Sequence, residues 1–168
     1  MRRLFVLRHA KSSWDDPGLP DHDRPLAGRG RKASKLIAEH LRLEGVSPEL
    51  VLCSSAARTR ETLERMMPAL PGAEVSIERG LYGASADDLL SRLRRVPDAV
   101  GSVMLIGHQP AIQELVLDLA GDGADLNRVR VKFPTAALAT LLFAGGWSEL
   151  EPGGAELVAY VRPKELAA

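Results

Sequence analysis

The sequence predicts an α/β protein: a three-layer α/β/α sandwich with a mostly parallel central sheet and an antiparallel edge strand. Three observations lead there. Four short apolar runs, at 4–7, 50–53, 103–106 and 137–143, have the length of buried strands. Segments of helix length, with apolar residues three and four apart, separate the first three of them. The unusual polar residues, Arg8-His9, Ser54-Ser55 and Gly107-His108, directly follow the runs and do not interrupt them.

Taken in order, 4–7 is continuously apolar, as a strand covered on both faces must be. Residues 30–43 set Ala33, Ile37, His40 and Leu41 near helical spacing, with Arg31, Lys32, Lys35 and Arg42 on a solvated side. After the run 50–53, a helix is expected at 56–67, entered through Ser54 or Ser55 as a cap and closed by Pro68. Pro71 and Gly72 mark a loop, 75–77 a weakly patterned strand, and 86–95 a helix with Leu89, Leu90 and Leu93 inward. After 103–106, Pro110 starts a helix at the position where its missing N–H does no harm. Ile112, Leu115, Val116 and Leu119 form its apolar face and Gly121 ends it. The segments 137–143 and 157–161, joined across Gly145-Gly146, read as an antiparallel pair at one sheet edge.

With 168 residues, 45% hydrophobic and 26% charged, the whole chain 1–168 is expected to form one domain. Twenty-two Lys and Arg balance 22 Asp and Glu, so no global field argues for nucleic acid or an anionic membrane as partner. Any anion site must be local. The single Cys53 has no intrachain disulfide partner, and no apolar run approaches the ~20 residues that span a bilayer. The apolar stretch after Met1-Arg2-Arg3 is far shorter than the roughly 7–15 residues of a signal-peptide core, so a soluble cytoplasmic protein is expected.

In open parallel sheets, ligands bind outside the carboxyl ends of the strands. Arg8 and His9 follow the first run, Arg58 follows the second, and His108 follows the third, so three segments bring two Arg and two His to one edge. Such a cluster suits a phosphoryl group. Its charge of roughly −1.5 to −2 is matched by paired guanidinium donors from Arg8 and Arg58, with amide donors from the helix starting near Ala56. His9, as a neutral imidazole with one nitrogen held by a partner, can attack phosphorus with the other. His108 can donate to a phosphoryl oxygen as charge develops. Singly, each has a structural reading: Arg58 as a helix ion pair with Glu61 or Glu64, His108 as a cap before Pro110. Their joint placement after separate strands favours the phosphate site.

These residues also carry a family resemblance. Leu7-Arg8-His9-Ala10-Lys11-Ser12, Asp23-Arg24-Pro25-Leu26 with Gly28-Arg29-Gly30, Ser54-Ser55-Ala56-Ala57-Arg58-Thr59 with Thr62, and Gly107-His108-Gln109-Pro110 occur in one order along the first 110 or so residues. The sequence thereby resembles the histidine phosphatase superfamily, and within it the small phosphohistidine phosphatases of the SixA type. The resemblance implies a phosphoglycerate mutase-like fold, a phosphohistidine intermediate on His9, phosphate contacts from Arg8, Arg58 and His108, and no metal or other cofactor. Ser12 is a further candidate phosphate donor. Ala10 stands where many members have Gly, and Asp15 where many mutase-like members have Asn, so no phosphate contact is carried over to Asp15.

Mutase-like relatives have a Glu just before a Tyr-Gly pair. Here Glu78 precedes Leu81-Tyr82-Gly83, one residue out of register, and is the candidate general acid. Asp87 and Asp88 fit better in the first turn of a helix. An alkoxide leaving group needs an acid, whereas imidazole departs readily. The lack of an aligned acid, and of chain length for a covering lid, points to phosphohistidine in a protein as substrate. A phosphatase of small phosphomonoesters using the same His9, and a non-catalytic phosphate-binding module, are the alternatives. His22 between Asp21 and Asp23 lacks metal-ligand spacing. The 21–24 loop is expected to order the entrance with Arg24 paired to an acid, Trp14 to line the mouth or pack beneath it, and Thr135 to be a minor hydroxyl near the pocket.

Overall fold

The computed structural model describes residues 1–166. Its elements in order are β1 (Arg2–Arg8), α1 (Gly28–Leu43), β2 (Leu50–Ser54), α2 (Ala57–Met66), β3 (Glu74–Glu78), α3 (Ala86–Arg94), β4 (Ser102–Gly107), α4 (Ala111–Leu119), β5 (Ala120–Asp122), α5 (Leu126–Val131), β6 (Leu138–Phe143), β7 (Ala155–Val161) and α6 (Pro163–Leu166). One sheet of seven strands runs β3-β2-β4-β1-β6-β7-β5.

The alternation of side chains along each strand creates the layers. Leu4 and Val6 of β1, Leu52 of β2 and Leu105 of β4 point to one side, where they join Leu89 and Leu93 of α3 and Ile112, Leu115 and Leu119 of α4. Phe5, Leu7, Val51, Cys53, Met104 and Ile106 point to the other and meet Ile37 and Leu41 of α1 and Leu63 and Met66 of α2. A strand buried on both faces cannot alternate polar with apolar, which is why β1, β2 and β4 read as unbroken apolar runs. The α/β/α architecture follows as expected from the helical stripes and these runs.

The sheet differs from the sequence reading in where its antiparallel strand lies. β3, β2, β4 and β1 are mutually parallel, and β6 is antiparallel to both β1 and β7. β6 is therefore interior, and the edge is taken by β5, which pairs in parallel with β7. Three residues, Ala120, Gly121 and Asp122, carry no strand pattern; tertiary pairing decides their conformation. Gly121 accordingly does not cap α4, which ends at Leu119. A side chain at 121 would lie 2.7 Å from the Gly153 carbonyl oxygen, so glycine permits the close approach of two backbones. Nor is α2 capped by serine: Ala56 holds the cap position without a side-chain bond, and the Ser54 hydroxyl accepts from the Ala56 N–H at 3.3 Å. The acidic start of α3 is as expected, with a reciprocal cap between Ser85 and Asp88.

The register aligns the carboxyl ends that matter. Arg8 pairs with Gly107, and Cys53 with Ile106, so the residues after β1, β2 and β4 emerge together. Because β6 is antiparallel, the segment leading into it arrives at the same edge: the Arg8 N–H donates to the Ala137 carbonyl, and the Ala136 N–H points at the carbonyls of Arg8 and His9. Ala136 takes a φ of +61° to do so.

Candidate active site

At this edge a cavity of about 240 Å³ opens, lined by Arg8, His9, Ser12, Arg58 and His108, with Lys11, Arg24, Trp14 and Thr135 around it. Five of the six residues expected at the site from sequence are thus brought together. The sixth, Glu78, does not line the cavity.

His9 is 7% exposed, and its backbone N–H is fixed by the Gly107 carbonyl at 3.1 Å. Its Nδ1 lies 2.7 Å from the Ala10 carbonyl oxygen. A carbonyl only accepts, so Nδ1 carries the hydrogen and Nε2 the lone pair. Burial pushes the imidazole down to about 3, reinforced by the charges of Arg58 and Arg8, so the ring is neutral in ordinary buffers. That is the state a nucleophile needs. The Ala10 N–H donates to Thr62 Oγ1 at 3.0 Å, and the Thr62 hydroxyl donates to the Arg58 carbonyl at 2.7 Å. Thr62 thereby stitches the His9 loop to α2, one turn along from Arg58.

His108 lies beside His9, with ring centroids 5.3 Å apart. Its Nε2 is 2.7 Å from Ser54 Oγ, while its Nδ1 is buried without a partner among the described residues. Desolvation, with Arg58 adding to it, pushes this ring down to about 4. Arg8 donates to the Phe133 carbonyl at 3.0 Å, and burial lowers its pKa from the ordinary guanidinium value, with the charge of Arg58 contributing.

Arg58 is 7% exposed and does not pair with Glu61 or Glu64. Its anchor is Asp21: Nη1 donates to the Asp21 carbonyl at 2.9 Å and Nη2 to Oδ2 at 3.0 Å. The same carboxylate accepts from Arg24 Nε at 3.1 Å and the Tyr82 hydroxyl at 2.7 Å. These bonds, the tyrosine first and Arg58 next, hold the Asp21 carboxyl well below the usual carboxylate range. Arg24 also donates to Ser12 Oγ at 2.8 Å, which uses part of that hydroxyl's capacity, and stacks 3.5 Å above the Trp14 ring. Trp14 therefore lines the mouth and packs on Arg24 there.

Glu78, at the end of β3, is turned toward α3. Its oxygens accept from Arg92 Nε at 2.7 Å and Nη2 at 2.8 Å, and from the Ser76 hydroxyl at 2.7 Å. Arg92 beside it holds the carboxyl below its ordinary value, so it is ionised and occupied. The expectation of a general acid at Glu78 is corrected by this pairing. Among the described residues no carboxylate lines the cavity, whereas four cations do.

Sequence reasoning gives Asp21, Ser54, Thr62 and Tyr82 no individual role in the site: it reads Ser54 as a helix cap and Asp21 only as part of the entrance loop. Thr62 carried a signal, four residues after Arg58 on the same helix face. Asp21 and Tyr82 are 61 positions apart, and only the folded loop joins them. His22 is held by Ser55 at 2.8 Å, and no cluster of three or more metal-ligating side chains occurs among the described residues.

Comparison with known proteins fits this geometry. Residues 4–93 match the family model of the histidine phosphatase superfamily, branch 1. The Mycobacterium tuberculosis protein Rv1276c, itself uncharacterized, is 40% identical over 162 residues, covering 94% of this chain and 100% of the relative. The phosphohistidine phosphatase SixA of Escherichia coli is 32% identical over 126 residues, covering 70% of this chain and 73% of SixA. Among solved structures, a candidate phosphohistidine phosphatase SixA from Agrobacterium tumefaciens superposes with a TM-score of 0.84 at 30% identity, covering 96% and 98% of the two chains. On the family match and these relatives, the chain belongs to the histidine phosphatase superfamily.

Proposed function

We propose that this protein is a phosphatase that hydrolyses phosphohistidine in a protein through a covalent intermediate on His9. In the first step His9 Nε2 attacks phosphorus in line with the substrate P–N bond. As the new P–N bond forms, the old one breaks, its electron pair stays on the departing imidazole, and a proton from water completes that ring. Arg8 and Arg58 neutralise the phosphoryl oxygens, His108 donates a hydrogen bond to one of them, and Ser12 can add a weaker one. The Ala10 carbonyl orients His9 and takes up the positive character that develops on Nδ1–H. In the second step water attacks the phosphorus on His9, inorganic phosphate leaves, and Nε2 recovers its lone pair.

The observation that carries the choice of substrate is the lining of the cavity: four cations, two neutral imidazoles and, among the described residues, no carboxyl group, with Glu78 committed to Arg92. Such a site binds a phosphoryl group but has no evident donor for an alkoxide, so it favours a leaving group that departs unaided. The likeness to SixA, named as a phosphohistidine phosphatase, points the same way.

The test is to mix the protein with phosphohistidine proteins and with alkyl phosphates, quench in alkali, and map the label. Acid-labile phosphate on His9, absent in His9→Ala, together with faster turnover of phosphohistidine, is expected. Turnover that survives His9→Ala would sink the covalent mechanism. A strong preference for alkyl phosphates would replace the substrate with a small phosphomonoester, and phosphate binding without turnover would make the protein a binding module.

A further inference from the structure

Beside the cavity that holds His9 lies a second hollow, of about 220 Å³, which the proposed chemistry leaves unused. The two share Lys11 and Thr135 in their linings, so they adjoin along those residues. Lys11, Arg29, Lys132, Arg162 and Lys164 line the second hollow, and no Asp or Glu does. In a chain whose 22 basic and 22 acidic side chains cancel, this is a concentrated local charge. Among the described residues only Arg162 of the five is in an ion pair, with Glu165 at 2.7 Å.

The five cations come from distant segments: the loop after β1, the start of α1, the approach to β6, and the end of β7 running into α6. Arg29 is the second residue of α1, whose first turn contains no acid. A cation there opposes the helix dipole, and gathering four more beside it adds mutual repulsion. An anion in the cleft relieves both.

We propose that this cleft docks acidic side chains that flank the phosphorylated residue of a protein substrate. The inference rests on the phosphatase reading above and specifies the substrate further. Lys11, Arg29, Lys132 and Lys164 are all exposed, unlike the buried Arg58. Three of the four are lysines, flexible point charges and not rigid forks. Dispersed carboxylates suit that wall, whereas a second compact phosphate calls for convergent, buried donors. The shared Lys11 and Thr135 place the docked acids within a few residues of the group on His9.

The experiment compares phosphohistidine peptides flanked by Glu with the same peptides flanked by Gln, using wild type and the triple variant R29Q/K132Q/K164Q. Wild type should prefer the Glu peptide about tenfold in kcat/KM, through KM, at low salt. The preference should vanish at high salt, where the screening length is only about 3 Å. The triple variant should lose the preference and still hydrolyse phosphoramidate at the wild-type rate. Equal wild-type rates on both peptides would overturn the docking site while leaving the phosphatase reading intact. An equal loss on peptide and phosphoramidate would also overturn it, as would a triple variant that keeps the peptide preference but loses hydrolysis of a small bisphosphate. If wild type cleaves no phosphohistidine peptide, the phosphatase reading fails. Titration with the unphosphorylated Glu peptide then decides the cleft alone: binding weakened in the triple variant supports it, and unchanged binding refutes it.

Discussion

Replacing Glu78 by glutamine separates a structural carboxylate from a proton donor. In the structure Glu78 accepts two hydrogen bonds from Arg92, at 2.7 and 2.8 Å, with side-chain exposures of 23% for Glu78 and 19% for Arg92. Glutamine keeps one acceptor oxygen but turns an NH2 toward the guanidinium and removes the charge. A charge-assisted bond is worth about 1.5–3 kcal/mol, and one of the two is retained in neutral form, so a net cost of about 2 kcal/mol is expected. For a protein of this length each kcal/mol moves Tm by about 2–4 °C, which gives a fall of about 4–8 °C. Because Glu78 is held ionised by Arg92 and does not line the cavity, kcat on phosphohistidine should change less than about twofold. A general acid would behave in the opposite way, losing about 10²–10⁴-fold in kcat on an alkyl phosphate. Differential scanning fluorimetry beside steady-state kinetics on both substrates makes the comparison. An unchanged Tm with a hundredfold loss of kcat would refute the assignment.

Gly30→Ala should unsettle the loop that follows His9, because the added carbon would lie 2.1 Å from the Lys11 carbonyl oxygen. Overpacking of that kind costs about 1–3 kcal/mol, and a lower Tm together with a lower kcat/KM is expected; wild-type values of both would contradict it. Thr62→Val leaves the buried Ala10 N–H without its 3.0 Å acceptor, at about 1–3 kcal/mol, whereas Thr62→Ser should restore the bond. Chemical denaturation of the two variants reads this difference. The imidazole signals of His9 and His108 should not titrate between pH 5 and 8 in NMR, since burial holds them at about 3 and about 4; an inflection near 6.5 would show the rings to be solvated. Between roughly pH 6.5 and 4 the unfolded chain binds protons that these native rings refuse, so stability must fall as pH falls through that window. The loss from pH 7 to 5 should reach about 2 kcal/mol for each histidine, measured by urea denaturation.

Much of the fold was legible because burial on both faces leaves an unmistakable mark. The runs that became β1, β2 and β4 needed no context, and the residues after them could be assigned to one edge from the parallel topology alone. β5 could not be read, since Ala120-Gly121-Asp122 becomes a strand only through β7. The same limit applied inside the site. Arg58 invited pairing with the glutamates of its own helix, but the shorter route in space led to Asp21, 37 positions earlier. Glu78 was close in sequence to the expected acid position, yet Arg92, one helix away, offered a bidentate partner. Thr135 has no sequence pattern that marks it as more than a minor hydroxyl near the pocket; β6, entering antiparallel, carries it to the cavity rim.

β1 is synthesised before its neighbours in the sheet, β4 and β6, which begin 100 and 136 residues later, at Ser102 and Leu138 against Arg2. At about 5–20 residues per second, translation takes on the order of ten seconds to supply them. Until then Arg8 and His9 have neither the Gly107 carbonyl nor the Ala136 N–H that fix them. The proposed nucleophile is thus made early and enclosed late, so a nascent chain or a truncated product exposes His9 without the pocket that surrounds it in the folded protein.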